Sequence, residues 1–580
     1  MTVIIFSFGA SPAVTHYEAL PRLRGDEKVE VVVGPPYLGG RQSPGDQIGT
    51  TAYDIQQVCG GGGSAGHRLM VDDYGQAHID WMWQDYPGQT MRYCAWNARF
   101  TDGTYYGETQ ASGSWSGYVQ IDITRDSDPD SQRSVIAYQY DAGTGYYSWI
   151  DIDGVNLGGF WPNDPKTPGV ADHIWPVICV ANNNNILMAT GDYNAAEHHL
   201  YLTTDLGETW MNIFNFDSCA TLSYYLCASK NPTSQKVVFT HTQFITDSLA
   251  AGQLDNDVWY MISTDNGMTW GECINLTEYQ PTDTMRACCD PYAIFDADDV
   301  LHIVWTVRKV DTAAYYQASK ILHWDELNDT VTVVNSPSIY YNEPGGWWIG
   351  PSDGGNYGAW RVPADKPVLI CDTTDNYLYC IWGGNDDYTD SSAAGYINDE
   401  IYGAFSTDRG LTWSDYVNLT NTRAPGAEPG ACYDEDWATA HLTVVHDSIF
   451  VTYVEDKDAG SCPHGEGTLT ENPVRCWVFP TSLITGACEE SKEEPLPYDF
   501  EVYPNPFSRL LNVGFGKGRG LKNIEVTIFD VSGREVLKKR ETSGISETVK
   551  LDTRDLACGV YFIGVEAGGG AEVRKVVKVK

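Results

Sequence analysis

Two short runs of aspartates are the first places where this sequence could do chemistry, by binding a cation. They are Asp126, Asp128 and Asp130 in RDSDPDS, and Asp386, Asp387 and Asp390 in NDDYTD. A calcium ion takes roughly six to eight oxygen ligands, several of them carboxylates from one flexible loop. Neither run has the full spacing of a calcium loop, and Pro129 interrupts the first. We therefore predict solvated acidic loops; calcium stays an alternative that no complete motif supports.

Histidine and cysteine, the usual ligands of zinc, show no motif spacing. His198 and His199 are adjacent, but no His-Glu-x-x-His string occurs. None of the 15 cysteines lies in a Cys-x-x-Cys pair, so neither a zinc ribbon nor a thioredoxin-type redox site is predicted. Cys371 and Cys380 flank a predicted turn and could face each other across a hairpin, although free cysteine is also a common core residue. We predict no metal and no cofactor.

The charge of the chain is uneven, and this excludes one class of partner. Residues 499–580 hold 14 Lys and Arg against 11 Asp and Glu, whereas the rest of the chain holds 23 basic and 67 acidic residues. A body this acidic repels nucleic acid and anionic lipid, because phosphate binding needs cationic side chains. No apolar stretch reaches the roughly 18 residues of a membrane span, so none is predicted.

A recurring hairpin pattern in residues 50–488 indicates the elements that must position any site. Its clearest copies are residues 69–83, 293–305, 368–382 and 442–453. In each, an apolar strand, a turn rich in Asp, Asn or Gly, and a strand with alternating aromatics follow one another, which is typical of β-hairpins. Because such units cannot bury both faces alone, about seven of them predict an all-β propeller of seven blades. Six or eight blades are the alternatives, and an array of β-sandwiches is the competing architecture.

The segments on either side of this region differ from it in composition. Residues 1–49 are rich in Gly and Pro and are typical of an irregular lead-in, whose mildly apolar start is consistent with a signal-peptide remnant. Residues 489–498 are acidic, contain Pro and have no apolar pattern, which indicates a linker. We therefore predict that residues 499–580 form a separate C-terminal domain.

Three segments share the template Ser/Thr-x-Asp-x-Gly-x-Thr-Trp, and each predicts a demanding turn. They are residues 203–210, 263–270 and 406–413, with the shared positions Asp205, Gly207 and Trp210; Asp265, Gly267 and Trp270; and Asp408, Gly410 and Trp413. The Asp can accept hydrogen bonds from backbone N–H groups two or three residues on. The Gly supplies a backbone conformation that costs other residues steric energy, and the Trp packs under the hairpin. We name these segments the corners and predict that their aspartates are structural.

The corners resemble the Asp-box (BNR) repeats of the sialidase-like propeller superfamily. The resemblance implies that each box lies between the third and fourth strands of a blade, on the rim and away from the central channel. It also raises exo-sialidase activity as an expectation. In that family, three arginines hold the substrate carboxylate, a Tyr paired with a Glu is the nucleophile, and an Asp is the acid/base.

The sequence departs from the sialidase pattern at the arginines. Arg68, Arg286 and Arg361 each stand just before a predicted inner strand and are candidates to converge on the channel as a carboxylate-binding set. The alternative, which we favour, is that they are ordinary strand-edge arginines. The family's motif is an aromatic or apolar residue followed by Arg-Ile-Pro near the first blade. The one similar string in this sequence is Trp360-Arg361-Val362-Pro363, which lies late in the chain. No Tyr–Glu pair stands out, so we assign no catalytic residue.

The C-terminal region joins four strings in order: FEVYPNPFSRLLNVGF, VTIFDVSGREV, LDTRDLACGVYFIGVEAGG and RKVVKVK. Pro504 and Pro506 favour an extended strand, the segment from Asp530 to Gly533 predicts a hairpin turn, and a further strand begins at Gly559. Six or seven short strands in about 80 residues predict a small immunoglobulin-like sandwich.

Together these strings resemble the type A C-terminal sorting domain of the bacterial type IX secretion system. The positions that carry the resemblance are Tyr503, Pro504, Asn505, Pro506, Phe507, Asp530, Gly533, Gly559 and Tyr561. The resemblance implies recognition by the translocon, transport across the outer membrane, and a location outside the cell or on the outer-membrane surface of a Gram-negative bacterium. The alternative is an accessory module with no sorting role.

Two functions remain open for the propeller. One is non-catalytic binding of a glycan or a surface protein, and the other is sialidase-like exo-glycosidase activity. Trp347 and Trp348, in the Gly-rich loop GGWWIGPSDGG, would offer stacking surface for sugar rings if exposed, although buried Trp is equally common. Because hydrolysis needs catalytic residues that the sequence does not place, we favour binding.

Overall fold

The structure is a computed structural model, and the residues that it describes are 14–15, 33, 43–58, 63–162, 166–193, 197–217, 223–245, 256–288, 290–310, 315–334, 347–349, 356–486, 500–515, 524–529, 535–541, 548–554, 556–567 and 570–579. The chain divides into two compact units, Met1–Thr485 and Gly486–Lys580.

The first unit is built almost entirely from short strands. In chain order they are β1 (Val14–Thr15), β2 (Asp46–Thr51), β3 (Leu69–Val71), β4 (Ala77–Gln84), β5 (Arg92–Arg99), β6 (Thr109–Gln110), β7 (Ser116–Ile123), β8 (Ser134–Asp141), β9 (Tyr146–Ile152), β10 (His173–Val180), β11 (Ile186–Asp192), β12 (Glu197–Thr203), β13 (Met211–Asp217), β14 (Tyr224–Ala228), β15 (Val237–Phe244), β16 (Asn256–Ser263), β17 (Ile274–Asn275), β18 (Met285–Ala287), β19 (Tyr292–Phe295), β20 (Leu301–Val310), β21 (Tyr315–Asp325), β22 (Thr330–Val333), β23 (Trp348–Ile349), β24 (Ala364–Asp372), β25 (Tyr377–Gly384), β26 (Glu400–Ser406), β27 (Val417–Asn418), β28 (Asp434–Ala440), β29 (Ser448–Asp456) and β30 (Asn472–Pro480). Short 3-10 helices span Pro129–Ser131 and Cys462–His464. In the described part of the chain the α-helix α1 (Ser482–Thr485) has four residues, and no helix there has the length and apolarity that crossing a membrane requires.

These strands form seven antiparallel blades that close into a ring. The blades are β3–β6, β7–β9, β10–β13, β14–β17, β18–β22, β24–β27, and β28–β30 with β2. Each inner strand packs against the inner strand of the next blade, in the order β3, β7, β10, β14, β19, β24 and β28, and β28 packs back against β3. The described residues therefore form a seven-bladed propeller, which confirms the predicted fold class.

The last blade takes its outer strand from the start of the chain. β2 pairs with β30, from Asp46 opposite Cys476 to Thr51 opposite Asn472. Hydrogen bonds between distant parts of the chain thus close the ring. This strand also places residues ahead of residue 50, which we expected in the lead-in, within the propeller.

The burial of the inner strands explains why the ring forms. Every residue of β7 and of β28 is buried, and all but the first residue of β10 are. A strand buried on both faces must lie between two layers, and here the neighbouring blades supply them. The aromatic residues of the repeated hairpins fill the space between blades, as Trp81, Trp175 and Trp382 do at full burial.

The meander within each blade divides its turns between two ends of the ring. The turns from first to second strand and from third to fourth strand lie at one end, which we name the corner face. The turns from second to third strand, and the connections to the next blade, lie at the other end, which we name the loop face. Inner strands therefore begin at the loop face.

Four inner strands carry a β-bulge near their loop-face start. The ladder shifts within β7, β10, β24 and β28. At these bulges Tyr118, Trp175, Lys366 and Trp437 have φ angles of 53°, 56°, 54° and 55°. Positive φ is uncommon for large residues, and a bulge changes the direction of a side chain. The fold thus redirects one large side chain per strand at the loop face.

The second unit is a sandwich of two sheets. Its strands are β31 (Phe500–Tyr503), β32 (Leu510–Phe515), β33 (Ile524–Phe529), β34 (Glu535–Glu541), β35 (Thr548–Asp552), β36 (Gly559–Ala567) and β37 (Gly570–Lys578). β31, β32 and β35 form one sheet, and β34, β33, β36 and β37 form the other. Leu511 and Val549 of the first sheet share a core with Val526 and Ile563 of the second. The immunoglobulin-like class stays a prediction.

Candidate functional site

The three corners lie where the third strand of a blade turns to the fourth. They join β12 to β13, β16 to β17 and β26 to β27, all at the corner face. In the second corner the Asp265 carboxylate accepts hydrogen bonds from the Thr269 backbone N–H at 2.8 Å and from its hydroxyl at 2.6 Å. This donor lies four residues on, and the Met268 N–H, three residues on, also lowers the pKa of the carboxylate. The Ser263 hydroxyl donates to the same carboxylate and accepts from the Gly267 N–H.

The same hydrogen bonds recur at Asp205 and Asp408, and they stabilise the ionised carboxylates. Hydrogen bonds from Thr209 and Thr203 lower the pKa of Asp205. At Asp265 and Asp408 burial acts in the opposite direction, but the corner hydrogen bonds outweigh it and the pKa is lowered as well. The corner aspartates are therefore satisfied within their own turns.

The corner glycines place each turn against the preceding blade. Gly207, Gly267 and Gly410 have φ angles of 92°, 87° and 86°, which favour glycine. A Cβ on Gly267 would lie 2.5 Å from Leu187 Cδ2 of blade 3, and one on Gly410 would overlap the ring of His323 in blade 5. Glycine is thus required both for the turn and for the close approach of the neighbouring blade.

The corner tryptophans are half-buried and strengthen the same contact between blades. Trp210, Trp270 and Trp413 each pack against a core cluster. The Trp413 indole N–H donates to the Thr332 hydroxyl in β22 of blade 5 at 3.2 Å. The corners therefore join neighbouring blades at the corner face, at the opposite end of each blade from the loop face.

Two of the three predicted arginines meet at one residue. The Arg68 guanidinium donates to the Trp437 carbonyl, and the Arg361 guanidinium lies 5.4 Å from the centre of the Trp437 ring. Arg286 lies in β18, where its Nη1 donates to the carbonyls of Asp283 and Met285 at 2.6 and 2.9 Å. Arg68 and Arg361 thus come together at Trp437, while Arg286 donates to carbonyls of its own segment.

Arg361 is buried and surrounded by carboxylates. Its Nη1 donates to Asp436, its Nη2 pairs with Asp399, and its Nε lies 3.5 Å from Asp365 Oδ2. Burial opposes the charge, but the neighbouring aspartates outweigh it and raise the pKa of Arg361 above its ordinary value. This guanidinium therefore neutralises the protein's own carboxylates and does not present a free fork to a ligand.

Further carboxyl groups beside this ion pair retain their protons. Burial is the main cause that raises the pKa of Asp54 to about 8, and Asp436 adds to it. Burial and neighbouring aspartates also raise the pKa of Asp434 and Asp456 well above the ordinary range. Among the described residues, Asp54 Oδ1 and Asp456 Oδ2 have no hydrogen-bond partner. The cluster thus mixes protonated and ionised acids in a low-dielectric site.

Several of these residues line a small pocket at the loop face of blades 6 and 7. Its lining includes Asp54, Tyr357, Arg361, Asp436 and Trp437. Asp54 follows the end of β2, Arg361 precedes β24, and Trp437 is the bulge residue of β28. The pocket therefore combines carboxyl groups, one guanidinium and aromatic surface, which together suit a hydroxyl-rich ligand.

The carboxyl groups of this pocket were missed from the sequence, although a signal for them was present. Asp365 lies in β24, and Asp434 and Asp436 lie in β28, strands whose other residues are buried almost throughout. Charged residues in buried strands are costly unless paired, so they indicate a site. What the sequence did not show is that residues from 54 to 456 meet.

The aspartates of the two acidic runs, residues 126–130 and 386–390, have hydrogen-bond partners nearby. Asp126 accepts from the Asn184 side chain at 3.3 Å, and Asp386 accepts from the hydroxyls of Tyr402 and Tyr416 at 3.0 and 3.1 Å. Asp390, predicted in a solvated loop, is instead buried and accepts from the Asn398 side chain at 2.9 Å. The second run is thus part of the packed loop face.

Two alternatives that the sequence left open, a stacking surface at Trp348 and a Cys371–Cys380 pairing, are not found among the described residues. Trp348 is 1% exposed and packs in the core, so it offers no stacking surface, while Trp347 is partly buried with the Lys320 ammonium 4.6 Å from its ring centre. Cys371 and Cys380 are both free and buried, because Cys371 lies opposite Leu378 and Cys380 opposite Leu369 in the hairpin.

The residues of the sorting motif hold the two ends of the second unit together. Asn505 accepts from the Val577 N–H at 2.9 Å and donates to the Lys575 carbonyl at 3.2 Å. Phe507 is 1% exposed, and Tyr561, in the strand that Gly559 begins, is buried with its hydroxyl 2.9 Å from the Ala557 carbonyl. Tyr503, Pro504 and Pro506 lie in or just after β31. Asp530 and Gly533 lie outside the described residues.

The C-terminal part of the chain matches the family model of the secretion system C-terminal sorting domain over residues 501–580. This confirms the predicted sorting domain. The chain thus carries a type IX secretion tail and is a secreted or cell-surface protein.

Solved structures similar to the chain include lyases and sialidases. A polysaccharide lyase, the PL25 ulvan lyase bound to -[GlcA(1-4)Rha3S]-, is 9% identical, with coverage of 76% of this chain and 96% of that one and a TM-score of 0.47. The NanB sialidase from Streptococcus pneumoniae is 12% identical, with coverage of 76% and 71% and a TM-score of 0.36. The leech intramolecular trans-sialidase is 12% identical, with coverage of 77% and 72% and a TM-score of 0.35. No curated protein matches the chain.

Proposed function

We propose that this exported protein is a non-catalytic glycan-binding propeller that holds a neutral, hydroxyl-rich sugar in the pocket of Asp54, Arg361, Asp436 and Trp437. The sorting tail delivers it to the type IX translocon and to the cell surface. The positions of the corners support their assignment as Asp-box repeats, and the two-sheet sandwich supports an immunoglobulin-like class for the tail.

The observation that carries the proposal is the neutralised state of Arg361. Its guanidinium already pairs with Asp399 and Asp436, and no other basic residue is among the described residues that line the pocket. A sialic acid carboxylate would therefore meet repulsion, while sugar hydroxyls find acceptors in the carboxylates and a donor in protonated Asp54.

An aromatic wall favours a sugar ring as the ligand over a protein partner. Trp437 lines the same pocket as Asp54 and Asp436, so aromatic surface stands beside hydrogen-bonding groups. A sugar ring, with an apolar face and polar edges, matches that combination.

A glycan-binding assay with the full chain tests this proposal. We expect binding to immobilised neutral glycans and none to their sialylated forms. Asp54→Asn removes the titratable acid at nearly constant shape and should weaken binding at least tenfold. Asp387→Asn is the matched control, because Asp387 lies at the same face in a partly exposed pair with Arg423. Binding restricted to sialylated glycans, or equal binding by both variants, would contradict the proposal.

Glycoside hydrolysis is the second candidate, and one observation favours it. Asp54 retains a proton at neutral pH because burial raises its pKa to about 8, and Asp436 lies in the same pocket. Glycosidases use two carboxyl groups, one of which donates a proton to the leaving group. A panel of fluorogenic glycosides that includes a sialoside decides between the two: turnover that is lost in Asp54→Asn while binding persists would replace the binding proposal.

A further inference from the structure

Blade 3 carries a second cluster of chemistry-bearing side chains, separate from the pocket of blades 6 and 7. His173 in β10 lies opposite Asp192 in β11, and His199 in β12 lies opposite Thr190 in β11. Because opposite residues share a face and successive residues alternate, His173, Asp192 and His199 project from one face of the sheet. Asn215 in β13 lies opposite His199 and shares that face.

The two imidazoles are already oriented by hydrogen bonds at their Nδ1 atoms. His199 Nδ1 lies 2.7 Å from Asn215 Oδ1, and His173 Nδ1 lies 2.7 Å from the Tyr201 hydroxyl. An amide oxygen only accepts, so His199 carries its proton on Nδ1 and leaves a lone pair on Nε2. This is the arrangement by which proteins fix histidine ligands of a metal.

The lone pair of His199 has no hydrogen-bond partner among the described residues, although the side chain is only 4% exposed. The nearest carboxylate, Glu197, has its Oε2 at 3.8 Å from His199 Nε2. Likewise His173 Nε2 lies 3.8 Å from Asp192 Oδ2. A buried imidazole nitrogen aimed at carboxylates without a hydrogen bond is unusual in an interior that satisfies its polar atoms.

We propose that His173, Asp192 and His199 form a binding site for a divalent transition metal, with zinc as the reference ion. One ligand atom from each residue lies within 4.8 Å of the others. Zinc with bonds of ~2.0–2.1 Å holds tetrahedral ligands roughly 3.3 Å apart. The His173 and His199 rings are stacked with their centres 3.7 Å apart, so metal binding requires the two rings to splay until both Nε2 lone pairs point at one ion. Glu197, whose side chain is 39% exposed, stands beside the cluster as the fourth ligand.

A bound ion would tie β10, β11 and β12 together at the loop face, where β11 turns to β12. The sequence gives no hint of this, because the three ligands are spread over three strands.

Zinc binding to the chelator-stripped full chain tests the proposal. We expect one zinc ion per chain at high affinity, and a visible spectrum typical of tetrahedral coordination when cobalt(II) replaces zinc. His199→Ala should weaken binding at least 100-fold. Asn215→Ala, which removes the partner of the ligand but no ligand, should weaken it ~10-fold. His446→Ala is the control, since His446 lies in an exposed turn of blade 7.

Two results would overturn the site. One is zinc affinity that is equal in wild type, His199→Ala and the control, which would indicate weak binding by the acidic surface. The other is an octahedral cobalt spectrum in the wild type. If His199→Ala does not fold, Asp192→Asn and Glu197→Gln carry the test at partly exposed positions, and unchanged affinity in both has the same meaning.

Discussion

The two faces of the propeller use the same residue, aspartate, in opposite ways. At the corner face, Asp205, Asp265 and Asp408 accept several hydrogen bonds within their own turns, and their pKa values are lowered. At the loop face, Asp54 and Asp434 are fully buried and their pKa values are raised. The difference shows that environment, and not residue type, separates a structural carboxylate from a candidate functional one.

The two faces also differ in how far their interactions reach. A corner is complete within eight residues and one contact with the preceding blade, so its repeat is visible in the sequence. The loop-face cluster joins Asp54 and Asp456, which meet only when β2 closes the ring. The cluster therefore depends on the whole propeller, while each corner depends on two blades.

Replacing Arg361 by leucine should give the largest effect on stability. The variant leaves Asp399 and Asp436 buried without their common cation, and breaking such a pair costs about 3–5 kcal/mol. Chemical denaturation of the full chain, followed by tryptophan fluorescence, measures the loss. Arg423→Leu is the control, because that arginine is 46% exposed and pairs with Asp387 at the surface, where a pair is worth about 1 kcal/mol or less. Equal losses in the two variants would contradict the buried-pair interpretation.

Above pH 5, the buried acids at the loop face should determine how stability depends on pH. Asp54 has a folded pKa of about 8 against an ordinary 3.8. Glu435, a buried residue of β28 beside Asp434, has a folded pKa of about 8 against an ordinary 4.5. Both hold protons that the unfolded chain releases. Such groups destabilise the folded state as pH rises from the unfolded to the folded pKa, because the unfolded chain then releases protons that the folded chain keeps. We expect the Tm to fall from pH 5 to pH 8.

The corner aspartates should affect stability at acidic pH, below the range in which the loop-face acids act. Their lowered pKa values contribute stability that is present above about pH 4 and lost as pH falls further. Asp54→Asn should flatten the decline of Tm between pH 5 and 8, whereas Asp265→Asn should leave that slope unchanged. A wild-type Tm that rises from pH 5 to 8 would show that the loop-face acids are ionised.

Most of the fold was predictable from the sequence because its signals are local. Hairpins with alternating aromatics, such as β3–β4 and β24–β25, repeat often enough to give seven blades. The pairing of β2 with β30 was not predictable, because a lone strand that completes a distant blade has no repeat partner nearby. The sorting tail was recognised for the same local reason as the hairpins.

Less of the candidate site was predictable, because its geometry arises from ring closure. Arg361 was singled out for a carboxylate ligand, yet its described partners are the protein's own aspartates. The bulge that brings Trp437 to the pocket depends on a φ angle of 55°, which the conformational preference of tryptophan does not predict. Burial and unsatisfied oxygens, the features that distinguish Asp54 from Asp265, are properties of the assembled ring.

Replacing Gly410 by alanine tests the contact between blades at a corner. The φ angle of 86° costs an alanine roughly 1–2 kcal/mol. The new Cβ also overlaps the buried ring of His323, and overpacking adds about 1–3 kcal/mol. Gly395→Ala is a matched control at the loop face, because its φ is 89° and a Cβ there would meet no atom within 4 Å. Equal losses of unfolding free energy in both variants would show that the blade contact contributes nothing.

Replacing Asp265 by asparagine should give the smallest effect and the clearest separation of the two faces. The amide can keep the Oδ1 that accepts from the Ser263 hydroxyl and the Thr269 N–H, but it then presents an N–H₂ where Oδ2 accepts from the Thr269 hydroxyl, at a cost of about 1–2 kcal/mol. Because the corner lies at the opposite face from the pocket, we expect a lower Tm together with unchanged affinity for glycan. Thermal unfolding and glycan binding of the same preparation measure both. Loss of affinity at an unchanged Tm would mean that the corner, and not the loop face, holds the ligand.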